Sequence, residues 1–267
     1  MKFNKFIPMT LLSLLLIGCS NDDGEQKNNE AITEESNQSA DTEQAEQTEE
    51  SGSYVINPAS WSVVPAEGSN ADSQVVLMTF DDSPDQHAVD IAKMLDKHNV
   101  PAIFFVNSMY IEDDEGKQKL QEIHDMGFAI GNHTHSHPNL QSISEEEQRH
   151  EIVHANDLIE EVIGERPRFF RAPFGANTDY TKQVAAEEGM VLTNWSYGYD
   201  WEAEYQDPAA LADIMVNTEF LSDGSNLLMH DRAWTSAAIE DIVFGLEEKG
   251  YGFVNPDTIE GEDTDDI

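Results

Sequence analysis

The sequence of 267 residues has a single cysteine, few basic residues and no apolar run that would span a bilayer comfortably. One cysteine cannot form an intramolecular disulfide bond. Only 14 Lys and Arg residues stand against 53 Asp and Glu residues, and the net charge of −39 disfavours non-specific binding to nucleic acid or to an anionic membrane surface. We attribute this acidity to a need for solubility in salty or alkaline surroundings. A hydrophobic content of 39% is adequate for the core of one large domain or two small ones.

Residues 1–19 have the composition of a targeting segment. Two lysines near the start precede an apolar run at 6–17, which is short for a membrane-spanning helix. The segment ends in the sequence LIGC, which resembles the lipobox of bacterial lipoproteins, where the cysteine is lipidated and becomes the mature N-terminus. On this resemblance Cys19 carries a lipid anchor, and the protein is expected on the extracytoplasmic face of the cell membrane. The alternative is an ordinary secretory signal in which the cysteine is incidental.

The next segment, residues 20–53, consists almost entirely of Asp, Glu, Asn, Gln, Ser and Thr and has no aromatic residue. Such a segment cannot bury enough apolar surface to offset the entropy lost on ordering, so we predict a disordered and extended acidic tether. Residues 261–267 form a second acidic stretch, which we predict to be a frayed tail. The folded domain is therefore predicted to cover residues 54–260.

Short apolar runs alternate with helical patterns throughout the predicted domain. This repeated alternation predicts an α/β fold built on a parallel sheet, either a barrel or a doubly wound sheet. The runs that predict strands lie at 75–80, 102–106, 128–130, 169–170, 190–195, 226–229 and 251–254. The amphipathic patterns that predict helices lie at about 87–98, 115–126, 144–164, 179–189, 209–221 and 235–249, the third starting with a capping box.

Ionisable residues stand at or just past the C-terminal ends of five of these runs. In both candidate folds those ends form one face, where catalytic and binding groups collect. Acids at a strand end are often turn formers or helix caps, but five such ends on one predicted face indicate a site. The residues are Asp81 with Asp82, the histidine cluster at 133–137, Arg171, Asp200 with Trp201, and His230 with Asp231.

The histidine cluster and the two aspartates have the chemistry of a metal site. His133, His135 and His137 would share one face of an extended chain, whereas only the first and last would share a face of a helix. Two histidines and one aspartate make a three-ligand site for a divalent ion, with positions left for water and substrate. Because neighbours on an extended chain point to opposite sides, either Asp81 or Asp82 can bind the metal while the other faces the substrate. Solvated or core histidines are the alternative explanation.

Five segments in order resemble the motifs of the polysaccharide deacetylases, the NodB-homology enzymes of carbohydrate esterase family 4. The resemblance covers roughly residues 72–255, and the first two motifs are fairly specific. It implies a distorted (β/α) barrel with about seven parallel strands, in agreement with the alternation described above. The segments are Thr79-Phe80-Asp81-Asp82, His133-Thr134-His135-Ser136-His137-Pro138, Arg171-Ala172-Pro173-Phe174-Gly175, Asp200-Trp201 and Leu228-Met229-His230.

The resemblance implies a metal-dependent hydrolase that removes N-acetyl groups from a polysaccharide. It assigns Asp82, His133 and His137 to a site for Zn²⁺ or another divalent ion such as Co²⁺, Ni²⁺ or Mn²⁺. His135 falls at a variable position of the second motif, and its contact with the metal stays open.

The resemblance also implies the remaining roles. Asp81 would be the general base and His230 the general acid, with Arg171 pairing with Asp81 and Asp200 orienting His230. The backbone N–H of Phe174 would donate to the oxyanion. Two further residues, Trp201 and Leu228, would wall a pocket for the acetyl methyl group, the alternative being plain core packing.

Several substrates fit these expectations. Peptidoglycan N-acetylglucosamine is the first choice for a lipid-anchored enzyme, and a chitin-like oligosaccharide, poly-N-acetylglucosamine or acetylated xylan are alternatives. A non-catalytic carbohydrate-binding lipoprotein is a rival, as is a metal-dependent phosphatase. The phosphatase is disfavoured because only Arg171 and Arg232 bring positive charge near the expected centre. We expect a monomer that does not bind nucleic acid.

Overall fold

The computed structural model describes residues 52–261, which form two sheets and six α-helices. The strands are β1 (Tyr54–Ile56), β2 (Val63–Pro65), β3 (Val75–Ser83), β4 (Ala102–Val106), β5 (Ala129–Asn132), β6 (Phe169–Phe170), β7 (Val191–Leu192), β8 (Tyr197–Gly198), β9 (Ser225–His230) and β10 (Gly252–Phe253). The helices are α1 (Ala88–Lys97), α2 (Asp114–Asp125), α3 (Glu145–Ile163), α4 (Asp179–Glu187), α5 (Pro208–Asn217) and α6 (Ala233–Glu248).

Eight of the strands form one parallel sheet. The strand order is β7-β6-β5-β4-β3-β9-β8, and β10 pairs with the start of β3. The longest strand, β3, lies between β4 and β9. This curled parallel sheet with its helices forms a half-barrel, which confirms the predicted α/β fold, a distorted (β/α) barrel with about seven parallel strands; β10 is an eighth, two-residue strand.

All six predicted helices are present, with ends that differ from the prediction by a few residues. The longest, α3, begins with the predicted capping box, in which the Ser144 side chain accepts from the Glu147 N–H and the Glu147 side chain accepts from the Ser144 N–H. It ends at Gly164, whose φ of 82° suits the left-handed conformation that glycine adopts without strain. The local signals at the two ends of α3 therefore account for its length.

The side chains that β3 presents to the barrel interior change from apolar to polar along the strand. Alternate residues from Val76 to Phe80 pack against the helices, whereas Leu77 packs inside the barrel with inward residues of the neighbouring strands. Thr79 and Asp81 continue the inner row and are also buried. The interior is therefore apolar at the start of the strands and polar at their C-terminal ends.

Strand β9, beside β3, also presents a row of side chains to the interior. Leu227 and Met229 belong to the core that packs against the helices, so Asn226, Leu228 and His230 face the interior. The register pairs His230 with Asp81. The end of β9 thus places an imidazole next to a carboxylate on the same face of the sheet.

The strand predicted at residues 190–195 is longer than the observed one, since only Val191–Leu192 forms β7. Beyond it, the carbonyl oxygen of Asn194 accepts hydrogen bonds from the side chains of Arg171 (2.7 Å) and Asn226 (2.9 Å). Side chains replace a strand partner there and satisfy the backbone acceptor.

Three strands have no counterpart in the sequence analysis. The antiparallel pair β1 and β2 and the short β8 each contain two or three residues. Segments this short carry too little periodicity to be recognised as strands.

The predictions for residues 1–19, including Cys19, for nearly all of the tether and for the tail after 261 lie outside the described residues. The boundaries 54–260 stay a prediction. Within 52–261, none of the helices has both the length and the apolar character that a membrane crossing requires.

Candidate active site

A cleft of about 520 Å³ opens at the C-terminal ends of the parallel strands. Two predicted site residues, Arg171 and Asp200, are fully buried and contact residues of the cleft. The other eight line the cleft, together with Trp195 and Arg232; they are Asp81, Asp82, His133, His137, Phe174, Trp201, Leu228 and His230.

Asp82, His133 and His137 each bring one donor atom to within 4.8 Å of the others. Asp82 Oδ1 lies 3.5 Å from His137 Nε2, and the two imidazole rings are 5.0 Å apart between centroids. Thr134 and His137 have φ values of 70° and 59°, so the loop after β5 is neither extended nor helical. This folded loop brings the first and last histidines of the cluster together.

His133 has the hydrogen bonding expected of a metal ligand. Its Nδ1 lies 2.7 Å from the carbonyl oxygen of Arg171, which only accepts, so Nδ1 carries the proton and Nε2 keeps its lone pair. Burial lowers the pKa of His133, which favours the neutral imidazole that binds metal. Two imidazoles and a carboxylate fit a divalent ion such as Zn²⁺.

His135 takes no part in this donor set. Its Nδ1 lies 2.9 Å from the Ser108 hydroxyl, and its ring packs on His154 with centroids 4.9 Å apart. Its Nε2 lies 3.6 Å from a carboxylate oxygen of Glu112. The middle histidine of the cluster therefore faces different partners from those of its two neighbours.

Asp81 and Arg171 form an ion pair inside the barrel, where their side chains are 3% and 0% exposed. Arg171 Nη1 donates to Asp81 Oδ1 at 2.7 Å and to the Thr79 hydroxyl at 2.8 Å. Nη2 lies 3.2 Å from the Asn226 side-chain oxygen, and the guanidinium stacks on the Phe105 ring at 4.2 Å. Among the described residues, the buried Nε has no partner. Because the other contacts hold the guanidinium on several sides, the ion pair has little freedom to move.

The two aspartates diverge for a different reason from the one predicted. Simple alternation along an extended chain is wrong here, because Asp82 has a φ of 59° and the register against β4 shifts between Phe80 and Ser83. This irregularity turns Asp82 toward His137. Both carboxylates reach the cleft as a result, and Asp81 Oδ2 lies 3.5 Å from His133 Nε2.

Asp82 lies among positively charged and imidazole groups. Its Oδ2 accepts a hydrogen bond from Arg232 Nη2 at 2.7 Å. Burial acts to raise the pKa of Asp82, but His133, His230, His137 and Arg232 together outweigh burial and hold the pKa below its ordinary value. The carboxylate is thus kept in the ionised form that a metal ligand needs.

His230 is oriented by Asp200. Its Nδ1 lies 2.7 Å from Asp200 Oδ1, and its backbone N–H donates to Oδ2 at 2.6 Å. The Thr235 hydroxyl donates to Oδ2 at 2.7 Å, and the Trp234 indole donates to the Asp200 carbonyl oxygen at 2.8 Å. Burial acts to lower the pKa of His230, but the hydrogen bond and charge of Asp200, together with the charges of Asp81 and Asp82, outweigh burial, so the pKa is raised. Within residues 52–261, Nε2 has no hydrogen-bond partner, and the residue lines the cleft.

Apolar side chains flank the polar centre. The Phe174 ring, 66% exposed, packs on His137 with centroids 4.8 Å apart. The Trp201 ring, 44% exposed, packs on His230 at 5.6 Å, while the buried Leu228 lies within the cleft wall. Leu228 therefore contributes to both the core and the cleft.

Phe174 has a φ of 61°, the left-handed conformation that a bulky residue rarely adopts. Within residues 52–261, its backbone N–H has no backbone acceptor among the loop and turn hydrogen bonds. The N–H is therefore free to donate to a ligand in the cleft.

Two contributors were given no role from the sequence: Asn226 holds Arg171, and Arg232 holds Asp82. Trp195, which the sequence suggests as a residue that stacks on sugar rings or packs in a loop, lines the cleft beside Gly175, where an added Cβ would meet the indole at 3.2 Å. A polar residue within the apolar β9 pattern was the available signal for Asn226. Nothing in the sequence alone indicated the partner of Arg232.

A sequence profile of the polysaccharide deacetylase family matches residues 68–193. The peptidoglycan-N-acetylglucosamine deacetylase of Bacillus cereus is 31% identical over 186 residues, which is 67% of this chain and 66% of that protein. A chitooligosaccharide deacetylase of Azorhizobium caulinodans is 30% identical over 194 residues, which is 66% of this chain and 90% of that protein. This chain thus spans about two thirds of the length of the first relative and most of the second.

A solved structure resembles the described fold. The family 4 carbohydrate esterase from Streptomyces lividans, determined in complex with acetate, matches with a TM-score of 0.61 and 26% sequence identity. The match covers 68% of this chain and 93% of that one. The half-barrel is therefore shared over nearly the whole of that esterase chain.

Removing the Arg171 guanidinium is expected to destabilise the fold strongly. In Arg171→Met the Asp81 carboxylate stays buried without its partner, and the free energy of unfolding should fall by about 3–5 kcal/mol. Urea unfolding of chelator-treated protein, followed by circular dichroism, measures the loss.

The double variant Asp81→Asn/Arg171→Met is the control, because it removes both charges. It should recover part of the lost stability, since no unpaired charge remains in the interior. Equal losses in the single and double variants would contradict our attribution of the loss to the unpaired carboxylate.

Proposed function

The chain belongs to the polysaccharide deacetylase family, and on this premise we propose that it is a metal-dependent hydrolase of N-acetyl groups on an amino-sugar polymer of the cell envelope. Peptidoglycan N-acetylglucosamine is the first candidate substrate. One observation carries the proposal: a three-donor site shares a single cleft with a carboxylate, Asp81, and an imidazole, His230. These are the groups that amide hydrolysis by direct attack of water requires.

Asp82, His133 and His137 are the residues that would hold the ion. When bound, a divalent ion there would polarise the acetyl carbonyl group and make a water molecule more acidic. The metal identity is part of the proposal, with Zn²⁺ first and Co²⁺, Ni²⁺ or Mn²⁺ as alternatives.

The protein's own residues carry out the proton transfers. Asp81 accepts a proton from the attacking water at Oδ2, while Arg171 holds Oδ1. The Phe174 N–H donates to the oxygen of the tetrahedral oxyanion. His230 then protonates the nitrogen through Nε2 as the carbon–nitrogen bond breaks, which releases acetate and leaves the free amine on the sugar.

The apolar walls of the cleft suit the acetyl group. Leu228 and Trp201 would contact the methyl group beside His230. The exposed rings of Phe174 and Trp201 and the partly buried ring of Trp195 would stack on sugar rings. Tyr197 is not available for stacking, because it is buried and its hydroxyl donates to the Met215 carbonyl oxygen.

The choice of peptidoglycan rests on two supports. The lipobox-like sequence at Cys19 would anchor the enzyme on the extracytoplasmic face, where the cell wall polymer lies. The Bacillus cereus relative is named for this substrate. The name of the Azorhizobium relative favours a chitooligosaccharide as the alternative.

Acetate release from peptidoglycan, chitooligosaccharide and acetylated xylan tests the function directly. We expect chelator-sensitive release from peptidoglycan at the highest kcat/KM, and no hydrolysis of 4-nitrophenyl phosphate by the same preparation. Binding of the polymers without any acetate release would favour the non-catalytic carbohydrate-binding lipoprotein instead.

Exchanging each aspartate for asparagine should separate the two carboxylate roles. Asp81→Asn removes the base and should lower kcat about 10²–10⁴-fold while Zn²⁺ stays bound. Asp82→Asn should lose both turnover and metal. Metal content by atomic emission, measured beside kcat, distinguishes the two outcomes, and loss of metal from Asp81→Asn would mean that the roles are exchanged.

Removing the Asp200 charge should shift the pH dependence of the reaction. The acid form of His230 is present below its pKa and lost above it, and Asp200 raises that pKa. Asp200→Asn should therefore move the alkaline limb of the kcat/KM profile to lower pH.

The matched control is Glu204→Gln, which removes an exposed carboxylate from the same loop without a contact to His230. Its profile should coincide with that of the unmodified protein. An unshifted alkaline limb in Asp200→Asn would show that His230 is not the acid that the limb reports.

A further inference from the structure

Three consecutive residues at and just past the end of β9 contact three different parts of β3 and of the chain that follows it. His230 pairs in register with Asp81, which brings the following residues beside the irregular end of β3. The Asp231 carboxylate accepts hydrogen bonds from the backbone N–H groups of Asp85 (2.7 Å) and His87 (2.5 Å). The chain that follows Asp82 is therefore tied to the end of β9.

Arg232 makes the third contact, and this contact falls on the Asp82 carboxylate. Its Nη2 donates to Asp82 Oδ2 at 2.7 Å. Its Nη1 donates to the carbonyl oxygen of Asp231 at 3.0 Å, which folds the long side chain back onto its own backbone. The guanidinium is thus held from both sides.

The two carboxylate oxygens of Asp82 therefore have separate partners. Oδ2 is bonded to Arg232, whereas Oδ1 lies 3.5 Å from His137 Nε2 and faces the imidazoles. A carboxylate can bind a metal through one oxygen or through both. Because Oδ2 is directed at the guanidinium, Oδ1 is the oxygen that faces an ion between the histidines.

Asp82 leaves the regular strand conformation. Its φ is 59°, at the point where the register with β4 shifts. By contrast Asp81 is still paired in register with His230 of β9 and is held by the buried Arg171. Each aspartate therefore has an arginine of its own, one buried and one partly exposed.

We propose that Arg232 is a positioning residue that holds Asp82 as a one-oxygen ligand of the divalent ion, an inference that rests on the metal site of the proposed function. Arg232 lines the cleft but acts through Asp82 rather than on the acetyl group. Partners of this kind, which orient a ligand without touching the metal, typically change metal affinity 10–100-fold when removed.

Metal binding by the full chain, without any substrate, tests the proposal. The protein is stripped with a chelator and titrated with Zn²⁺ against a competing indicator, and the Co²⁺ form is examined by visible absorption. Arg232→Gln should weaken Zn²⁺ binding about 10–100-fold. It should also lower the intensity of the Co²⁺ bands, because a freed Oδ2 adds a second oxygen to the coordination sphere.

Two further variants separate positioning from charge and from folding. Arg232→Lys keeps the charge and one donor, and should bind Zn²⁺ more tightly than Arg232→Gln. Arg168→Gln removes another partly exposed arginine, whose Nη2 donates to the Ile259 carbonyl oxygen, and should bind Zn²⁺ like the unmodified protein. Thermal unfolding of the metal-free forms controls for a general loss of structure.

Unchanged or tighter Zn²⁺ binding by Arg232→Gln, with an unchanged Co²⁺ spectrum, would overturn the positioning role. It would show that Arg232 is neutral or only repels the ion. Failure of the proposed function has a different signature: an unmodified protein that binds Zn²⁺ with the expected dependence on Arg232 but releases no acetate. An unmodified protein that does not bind Zn²⁺ would refute the metal site and the positioning role together.

Discussion

The buried residue Arg171 fixes the position of the Asp81 carboxylate relative to the donor set of Asp82, His133 and His137. Its side chain holds Asp81, and its backbone carbonyl oxygen accepts a hydrogen bond from His133 Nδ1–H. A buried charge is tolerated only when it is paired and hydrogen-bonded, and here the partners come from β3, from β9 through Asn226, and from Asn194 after β7. Because these partners come from separate parts of the sheet, Nη1 and Nη2 gain their acceptors only once the barrel has assembled. The order of the cleft is therefore a consequence of folding.

The parallel sheet supplies the second constraint, since side chains alternate and neighbouring strands are in register. In β3 the inner row passes from Leu77 through Thr79 to Asp81, and in β9 an inner row ends at His230. Adjacent strands lie about 4.8 Å apart, so a base and an acid at paired positions can serve opposite sides of one small group. An acetamido group has this size, which is why the register matters for the proposed reaction.

Much of the candidate site could be predicted from the sequence, because most of its side chains lie at or just past the C-terminal ends of strands. Two apolar runs, which lead to Asp81 and His230, are local signals, and so is the capping box at the start of α3. The structure places these residues as those signals imply. The left-handed Asp82, the folded loop around Thr134 and the short β8 were not predictable, since their conformations depend on contacts distant in sequence. Arg232 illustrates the limit most clearly. Its partner is 150 positions away, and no periodicity connects them.

Two adjacent carboxylates in one cleft would normally repel each other, and one of them would tend to take up a proton. This site offsets the repulsion with two arginines. Arg171 neutralises Asp81 in the interior, where the pair is rigid, and Arg232 neutralises Asp82 at the edge, where the pair is partly exposed to water. The difference in burial suits the difference between the two proposed roles. A base would have to keep its geometry through every turnover, whereas a metal ligand would have to let an ion enter and leave, and a partly exposed pair can rearrange at less cost than a buried one.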